Sequence, residues 1–234
     1  MYYFIGIKGS GMAPLATILY ELGNEVAGSD IDKYIFIEDE LRKRNIPIYS
    51  FNKDNIKDGY HVIIGNAFDE SNEEVKAALE NPNVKCTRYY DFLADFMEHY
   101  VSIAVAGTHG KTTTTSMISH ILLAGEMDPT ISVGGILKAI GGNIRVGNSE
   151  IFVTEACEYT NSFLSFFPKI SVILNIDEDH LDFFKDLEDI RNSFHRFAKL
   201  LPKDGTLVIN GDIDRLDEIT GDLDCKIVTY GTNP

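Results

Sequence analysis

The segment Ala106-Gly107-Thr108-His109-Gly110-Lys111-Thr112-Thr113 carries the strongest chemical signal in this 234-residue chain. It follows an apolar run, residues 101–106, and opens a stretch of helical character, 112–123. Backbone N–H groups of a glycine-rich loop in that position point at phosphate oxygens. A lysine there neutralises the β- and γ-phosphates, and a threonine hydroxyl reaches a magnesium ion. The spacing G-x-x-x-x-G-K-[ST] would need glycine where this chain has Val105, so only G-x-x-G-K-T-T is present. A turn that merely caps a helix leaves the coincidence of strand, glycines, Lys111 and two threonines unexplained. We therefore expect Gly107, Thr108, His109, Gly110, Lys111, Thr112 and Thr113 to bind a triphosphate. His109 would contact phosphate or order the loop.

Such a loop needs metal ligands from elsewhere. Two candidates lie where later apolar strands end: Glu155, after 151–154 and three residues before Glu158, and the cluster Asn175-Ile176-Asp177-Glu178-Asp179-His180. Ligand groups of open α/β sheets collect at the carboxyl ends of strands. Magnesium prefers oxygen ligands, which suits Glu155, whereas His180 is a softer donor. Helix caps and solvated loop carboxylates are the alternatives for both. Cys157 has no neighbouring histidine to activate it, and Phe163, Phe166 and Phe167 read as core.

A second glycine loop, Gly6-Ile7-Lys8-Gly9-Ser10-Gly11, also joins a strand to a helix. In that context glycines let the backbone approach a pyrophosphate at a helix N-terminus. Asp30, at the end of the second strand, stands about where a ribose-binding carboxylate is expected. The order is G-x-x-G-x-G rather than G-x-G-x-x-G, so a tight strand–helix turn remains open, as does an N-cap or solvated role for Asp30. A dinucleotide-dependent dehydrogenase is another reading of this loop, and it ignores the second one.

The elements that must position these residues alternate. Strands are expected at 2–7, 25–28 and 61–64, and helices at 12–22, 37–44, 73–80 and 91–98. A second series follows, with strands at 101–106, 151–155, 171–176, 206–209 and 226–229 and helices at 112–123 and 187–201. The glycine-rich stretch 131–142 is hard to assign. Alternating β and α units favour parallel sheets covered by helices. A new strand–loop–helix unit begins near 97–100, which places a boundary between domains at 1–98 and 99–234.

Lys plus Arg number 21 against 36 Asp plus Glu, a net charge of −15. That balance argues against nucleic-acid or anionic-membrane partners. Three cysteines without metal-ligand spacing suggest free thiols in a reducing, cytoplasmic setting. No basic n-region precedes an apolar run, and no uncharged stretch reaches the ~20 residues of a membrane helix.

Taken in order, these motifs resemble the Mur ligases. The resemblance rests on residues 6–12, Gly28-Ser29-Asp30, residues 107–114, Gly134-Gly135 with Gly142-Asn143-Ile144-Arg145, Glu155-Ala156-Cys157-Glu158, and Asn175-Ile176-Asp177-Glu178-Asp179-His180-Leu181-Asp182. It implies a Rossmann-like N-terminal domain that binds a UDP-linked substrate, followed by a P-loop ATPase-type α/β domain. It further implies an ATP-dependent acid–amino-acid ligase of peptidoglycan synthesis. ATP would phosphorylate the carboxylate of UDP-N-acetylmuramate, and the amine of L-alanine would displace phosphate from the acyl phosphate. Carried over, Lys111 holds the β/γ-phosphates, Thr112 or Thr113 binds magnesium together with Glu155, and His180 binds a second magnesium. Lys111, Glu155 and His180 are then the catalytic set. Gly9, Ser10, Gly11, Met12, Asp30 and Asn66 would line the UDP site, with Asn143 and Arg145 facing the sugar or its diphosphate.

Two departures qualify the resemblance. Cys157-Glu158-Tyr159-Thr160 replaces the acidic, serine-containing run of many members, which weakens any role for residues 157–160. The adenine-binding segment and C-terminal ligase domain of the family are missing from the sequence, so the expectation is an N-terminal fragment, inactive alone, whose central domain lacks its last part. Ligases that recycle a murein tripeptide share the N-terminal motifs and are the rival within the family. A non-catalytic UDP-sugar sensor is the rival outside it, opposed by the intact Lys111, Thr112, Glu155 and His180.

Overall fold

The computed structural model describes residues 1–232. The chain forms two compact units, Met1–Leu93 and Ala94–Pro234.

The first unit is a five-stranded parallel sheet. Its strands are β1 (Tyr2–Ile5), β2 (Val26–Ser29), β3 (Ile48–Tyr49), β4 (His61–Ile64) and β5 (Lys85–Arg88), in the order β3-β2-β1-β4-β5. Helices α1 (Met12–Glu21), α2 (Glu38–Lys43) and α3 (Glu73–Glu80) connect them, and α4 (Tyr89–Met97) leads out. Residues 2–5, 26–29 and 61–64 are almost wholly apolar or small because strands buried on both faces have no solvent side. Chain order reverses between β1 and β4, and the first glycine loop leaves β1 at that switch point. Pro14 sits in the first turn of α1, where its missing N–H leaves no helical bond broken.

Glu74, fully buried near the start of α3, accepts from Tyr3 Oη at 3.1 Å, Asn52 N at 3.0 Å and Asn55 Nδ2 at 2.7 Å, and also from Ser29 Oγ. A buried carboxylate survives there because hydrogen bonds replace its water. Its negative charge adds to burial in pushing the Tyr3 hydroxyl pKa well above the ordinary tyrosine range.

The second unit is a seven-stranded sheet in the order β12-β11-β10-β6-β9-β7-β8. The strands are β6 (Val101–Ala106), β7 (Thr130–Leu137), β8 (Gly142–Arg145), β9 (Ile151–Glu155), β10 (Ile170–Ile173), β11 (Thr206–Asn210) and β12 (Lys226–Tyr230). Six are parallel, and β8 returns antiparallel to β7. Helix α5 (Lys111–Ala124) follows β6, α6 (Leu187–Ala198) packs Phe194 and Phe197 onto Phe163, and α7 (Asp217–Thr220) is a single turn. Phe163 and Phe166 are buried as expected, but Phe167 is half exposed.

The differences from the sequence reading have local causes. The unassigned stretch 131–142 is a strand that turns through Lys138–Ile140 into β8; its glycines dilute β-propensity, and pairing of Ile131 with Val153 supplies the order. Strand β5, Lys-Cys-Thr-Arg, is an edge strand too polar to announce itself. The run expected at 171–176 stops at Ile173, because residues 174–180 leave the sheet to form the site.

Candidate functional site

The site of the second unit is assembled at the carboxyl ends of β6, β9 and β10, three adjacent strands of one parallel sheet. Gly107 leaves β6 with φ +146°, and a Cβ there would stand 3.0 Å from Leu174 Cβ, so the loop crosses the neighbouring strand end at glycine distance. Gly110, at φ +85°, is the residue from which α5 starts. The uncapped N–H groups of α5 and its dipole face this loop, which is the electrostatic setting for an anion.

The loop is pinned by the segment after β10. Thr108 Oγ1 accepts from Asp177 N at 2.9 Å and lies 3.3 Å from Asp177 O. Asn175 grips the backbone of His109, accepting from its N at 2.8 Å and donating to its O at 3.0 Å. The His109 side chain is exposed, so the structure gives this residue's backbone, not its ring, the part of ordering the loop.

Lys111 is folded back over the loop. Its Nζ donates to Gly107 O at 2.6 Å and to Glu158 Oε2 and Oε1 at 2.9 and 3.1 Å. Glu158 is 2% exposed. His180 Nε2 lies 3.8 Å from Glu158 Oε1, and the Tyr159 ring packs on the His180 ring with centroids 4.5 Å apart. Tyr159 Oη donates to Asp182 Oδ2 at 2.8 Å. Thr160, Asn161 and His180 all adopt φ between +52° and +57°. For Thr160, a β-branched residue, that conformation is costly; it lies in the turn after Glu158, which is buried, and Tyr159, which is exposed.

Beside this cluster, Thr112 Oγ1 donates to Glu155 Oε2 at 3.0 Å, and Glu155 Oε1 accepts from Gly134 N at 2.6 Å. Thr113 is exposed on the next helical position. Thr112, not Thr113, therefore shares a position with Glu155. Gly134 and Gly135 are explained here too: a Cβ on Gly134 would meet Glu155 Oε2 at 3.0 Å, and one on Gly135 would meet Thr112 Cγ2 at 3.2 Å.

Known proteins match this chain over its whole length. Residues 1–101 match the Mur ligase family, catalytic domain, and residues 105–234 match the Mur ligase middle domain. The chain belongs to the Mur ligase family. It is 49% identical over 233 residues to UDP-N-acetylmuramate–L-alanine ligase of Clostridium novyi, covering 99% of this chain and 50% of that protein. The Agathobacter rectalis protein of the same name is 52% identical over 231 residues, again 50% of its length. The chain thus spans about half the length of these curated relatives. Among solved structures, it superimposes with TM-score 0.79 and 30% identity on UDP-N-acetylmuramate-alanine ligase from Thermotoga maritima, covering 100% of this chain and 53% of that one. It also superimposes with TM-score 0.85 and 30% identity on UDP-N-acetylmuramate:L-alanyl-gamma-D-glutamyl-meso-diaminopimelate ligase from Neisseria meningitides, covering 97% of this chain and 76% of that one. The fold is accordingly that of the Mur ligases, a Rossmann-like unit followed by a P-loop ATPase-type unit.

The donor set suits a hard cation at one place. Thr112 and Glu155 offer a hydroxyl and a carboxylate at one point beside the phosphate loop, and both are oxygen donors. Magnesium takes such a pair and fills its remaining positions with water and phosphate oxygens. Among the described residues, no group of three or more His, Cys, Asp and Glu side chains is arranged as a metal cluster. His180 stands by Glu158, apart from the Thr112–Glu155 pair in its bonding.

In the first unit the sequence-derived residues divide. Gly9, Ser10, Gly11 and Met12 form the β1–α1 turn, with Ser10 exposed and Met12 buried. Gly11 lies against Tyr89, whose Oη would be 2.2 Å from a Cβ there, and burial raises the Tyr89 hydroxyl pKa above its ordinary range. Asp30 is 7% exposed, and its carboxylate accepts from Lys8 N at 2.7 Å and Ile31 N at 2.8 Å. Asp30 thus holds the glycine loop to β2. Lys8 does not face the loop's open side; its Nζ is tied to Glu38 Oε2 at 2.7 Å and Ile31 O at 2.9 Å. Asn66 lines a cleft of about 430 Å³ with Phe68, Asp69, Arg88, Tyr90 and Asp91, at the carboxyl ends of β4 and β5. In the second unit, Arg145 is paired with Asp128 and donates to Pro129 O at 2.6 Å, while Asn143 Oδ1 is buried without a hydrogen-bond partner.

Sequence reasoning discounted Glu158, assigned no role to Arg88 or Tyr90, and took Asn175 only as part of a candidate metal-ligand cluster, whereas its side chain clamps the His109 backbone. The signal for Glu158 was present in Glu-Ala-Cys-Glu, which sets two carboxylates three residues apart where a strand ends. No helix among the described residues is long and apolar enough to cross a membrane.

Proposed function

We propose that this chain forms the substrate-binding and ATP-binding parts of an ATP-dependent ligase that joins L-alanine to UDP-N-acetylmuramate. Residues 1–98 would take the UDP-linked substrate and residues 99–234 the ATP. The observation that carries the reading is the convergence of Lys111, Thr112 and Glu155 at the N-terminus of α5, supported by the names of relatives about 50% identical.

In this reading, magnesium held by Thr112 and Glu155 supplies charge neutralisation for phosphoryl transfer between two anions. Lys111 binds the β- and γ-phosphate oxygens, and the N–H groups of 107–111 orient them. His180, packed against the Tyr159 ring with its Nε2 3.8 Å from Glu158 Oε1, would hold a second magnesium. Asn66 and the cleft of the first unit would receive the uridine end, with Gly9–Met12 approaching the diphosphate and Asp30 keeping that turn in place. Asn143 and Arg145 would lie toward the sugar. The Asn143 Oδ1 without a partner supports a polar contact there; Arg145 would have to share its guanidinium with Asp128. The addition of a murein tripeptide in place of alanine is the second reading, favoured by the TM-score of 0.85 with the Neisseria enzyme. The higher sequence identity to the alanine ligases favours the first.

Thermal unfolding with separate ligands tests this. UDP-N-acetylmuramate and ATP-magnesium should each raise the midpoint, by roughly 2.7 kcal/mol of stabilisation at 100 times Kd. A shift with NAD and none with the UDP-sugar would refute the reading of the first unit. A longer protein carrying this chain would then be supplied with alanine or the tripeptide, and the amide product would decide between them.

A further inference from the structure

The phosphate-binding lysine of this chain already has a partner of the charge and shape it is meant to receive. Glu158 places two anionic oxygens 2.9 and 3.1 Å from Lys111 Nζ. It does so from a position only 2% exposed, while the Lys111 side chain is 16% exposed. A carboxylate so placed is expensive to strand: removing one member of a buried ion pair leaves the other charge without compensation. The pair is also specific in geometry. Glu158 reaches Lys111 because the chain passes through left-handed Thr160 and Asn161 and because Ser193 Oγ and Asn161 Oδ1 bond the segment to α6.

We propose that Glu158 is an internal surrogate for the nucleotide's terminal phosphate. It holds the Lys111 ammonium over the loop and surrenders it when a polyphosphate enters. His180, with Nε2 3.8 Å from Glu158 Oε1, is the second group positioned to face the carboxylate after the exchange. The inference rests on the reading of residues 107–112 as a polyphosphate site and assigns that site an intramolecular competitor. Two consequences follow from charge alone. The pair preorganises Lys111 near the loop, so the lysine does not have to be gathered from solvent. It also lowers affinity for any polyphosphate, because binding must break a buried bidentate contact and brings like charges together. Glu158 is in this sense a positioning residue that acts through Lys111.

The test uses this chain, inorganic tripolyphosphate as the probe and a chelator to remove metals. Calorimetric titration of wild type, Glu158→Gln, Lys111→Met and the double variant should show Glu158→Gln binding about tenfold more tightly than wild type. The same substitution in the Lys111→Met background should gain less than threefold. Unchanged or weaker binding by Glu158→Gln overturns the proposal, and so does an equal gain in both backgrounds, which would mean simple repulsion without exchange of the lysine. Thermal unfolding without ligand gives an independent readout: Lys111→Met should lower the midpoint, and adding Glu158→Gln should restore it. Absence of that rescue shows that the pair does not exist in solution and overturns the proposal. If wild type binds tripolyphosphate and Glu158→Gln gains nothing, the surrogate alone fails. If no variant binds at all, the polyphosphate site fails and takes the surrogate with it.

Discussion

Asn175 holds His109 by both ends of its side-chain amide, accepting from the backbone N–H at 2.8 Å and donating to the backbone carbonyl at 3.0 Å. A strand end thereby fixes the middle of a loop 66 residues away in sequence. Each such bond contributes about 1 kcal/mol, so the pair contributes about 2 kcal/mol to the ordered loop. Asn175→Ala should weaken ADP binding roughly thirtyfold, with a smaller change in overall stability because the loop is at the surface. Calorimetry on the two proteins checks this. Equal affinities would show that the loop is ordered without the clamp.

Glu155 reaches its place because position 134 has no side chain. A methyl group on Gly134 would stand 3.0 Å from Glu155 Oε2 and 3.1 Å from Oε1, on the strand that also donates its N–H to the same carboxylate. Gly134→Val should turn Glu155 away from Thr112 at a cost of about 1–3 kcal/mol in local packing. The expected result is loss of the magnesium dependence of nucleotide binding with little loss of metal-free binding. A Gly134→Val protein that retains the full magnesium effect would show that Glu155 is not the ligand.

The Asp128 carboxyl is held down to about 2, first by the Arg145 guanidinium and then by the Asn148 backbone and side-chain amides. Its folded value lies below the ordinary aspartate value of about 3.9, so the folded state binds this proton less readily than the unfolded chain. The stabilisation is therefore complete above about pH 5 and is lost as pH falls through about 2. Chemical denaturation at pH 6, 4 and 2.5 should show wild type more stable than Asp128→Asn at the first, with the gap narrowing at the last. A gap independent of pH would mean that hydrogen bonding, not charge, joins the loop at 128 to β8.

Much of the architecture was legible locally. Strands at 61–64, 101–106 and 151–155 and the helix at 73–80 coincide with the observed elements, because apolar runs and helical residue patterns leave a short-range signature. The segment 130–145 and β5 were not legible. Their order comes from pairing with β9 and β4, and neither glycines nor a polar edge strand encode that in their own residue types.

The amino-acid sequence by itself determined that a glycine-rich loop with Lys111 and Thr112 follows an apolar strand, and that Glu155 and the 175–180 cluster end later strands. Loop chemistry and strand termini are local properties, so that much marks a candidate polyphosphate site, while the Mur ligase family followed from the resemblance carried by the ordered motifs. The tertiary structure alone decided which side chains meet. The order β10-β6-β9 brings Glu158 to Lys111 across 47 residues and the Asn175 side chain to the His109 backbone across 66. It also committed Asp30 to the amides of Lys8 and Ile31, and Arg145 to Asp128. Partner choice among charged groups depends on distance and burial after folding. Both are set by sheet order, which no spacing along the chain records.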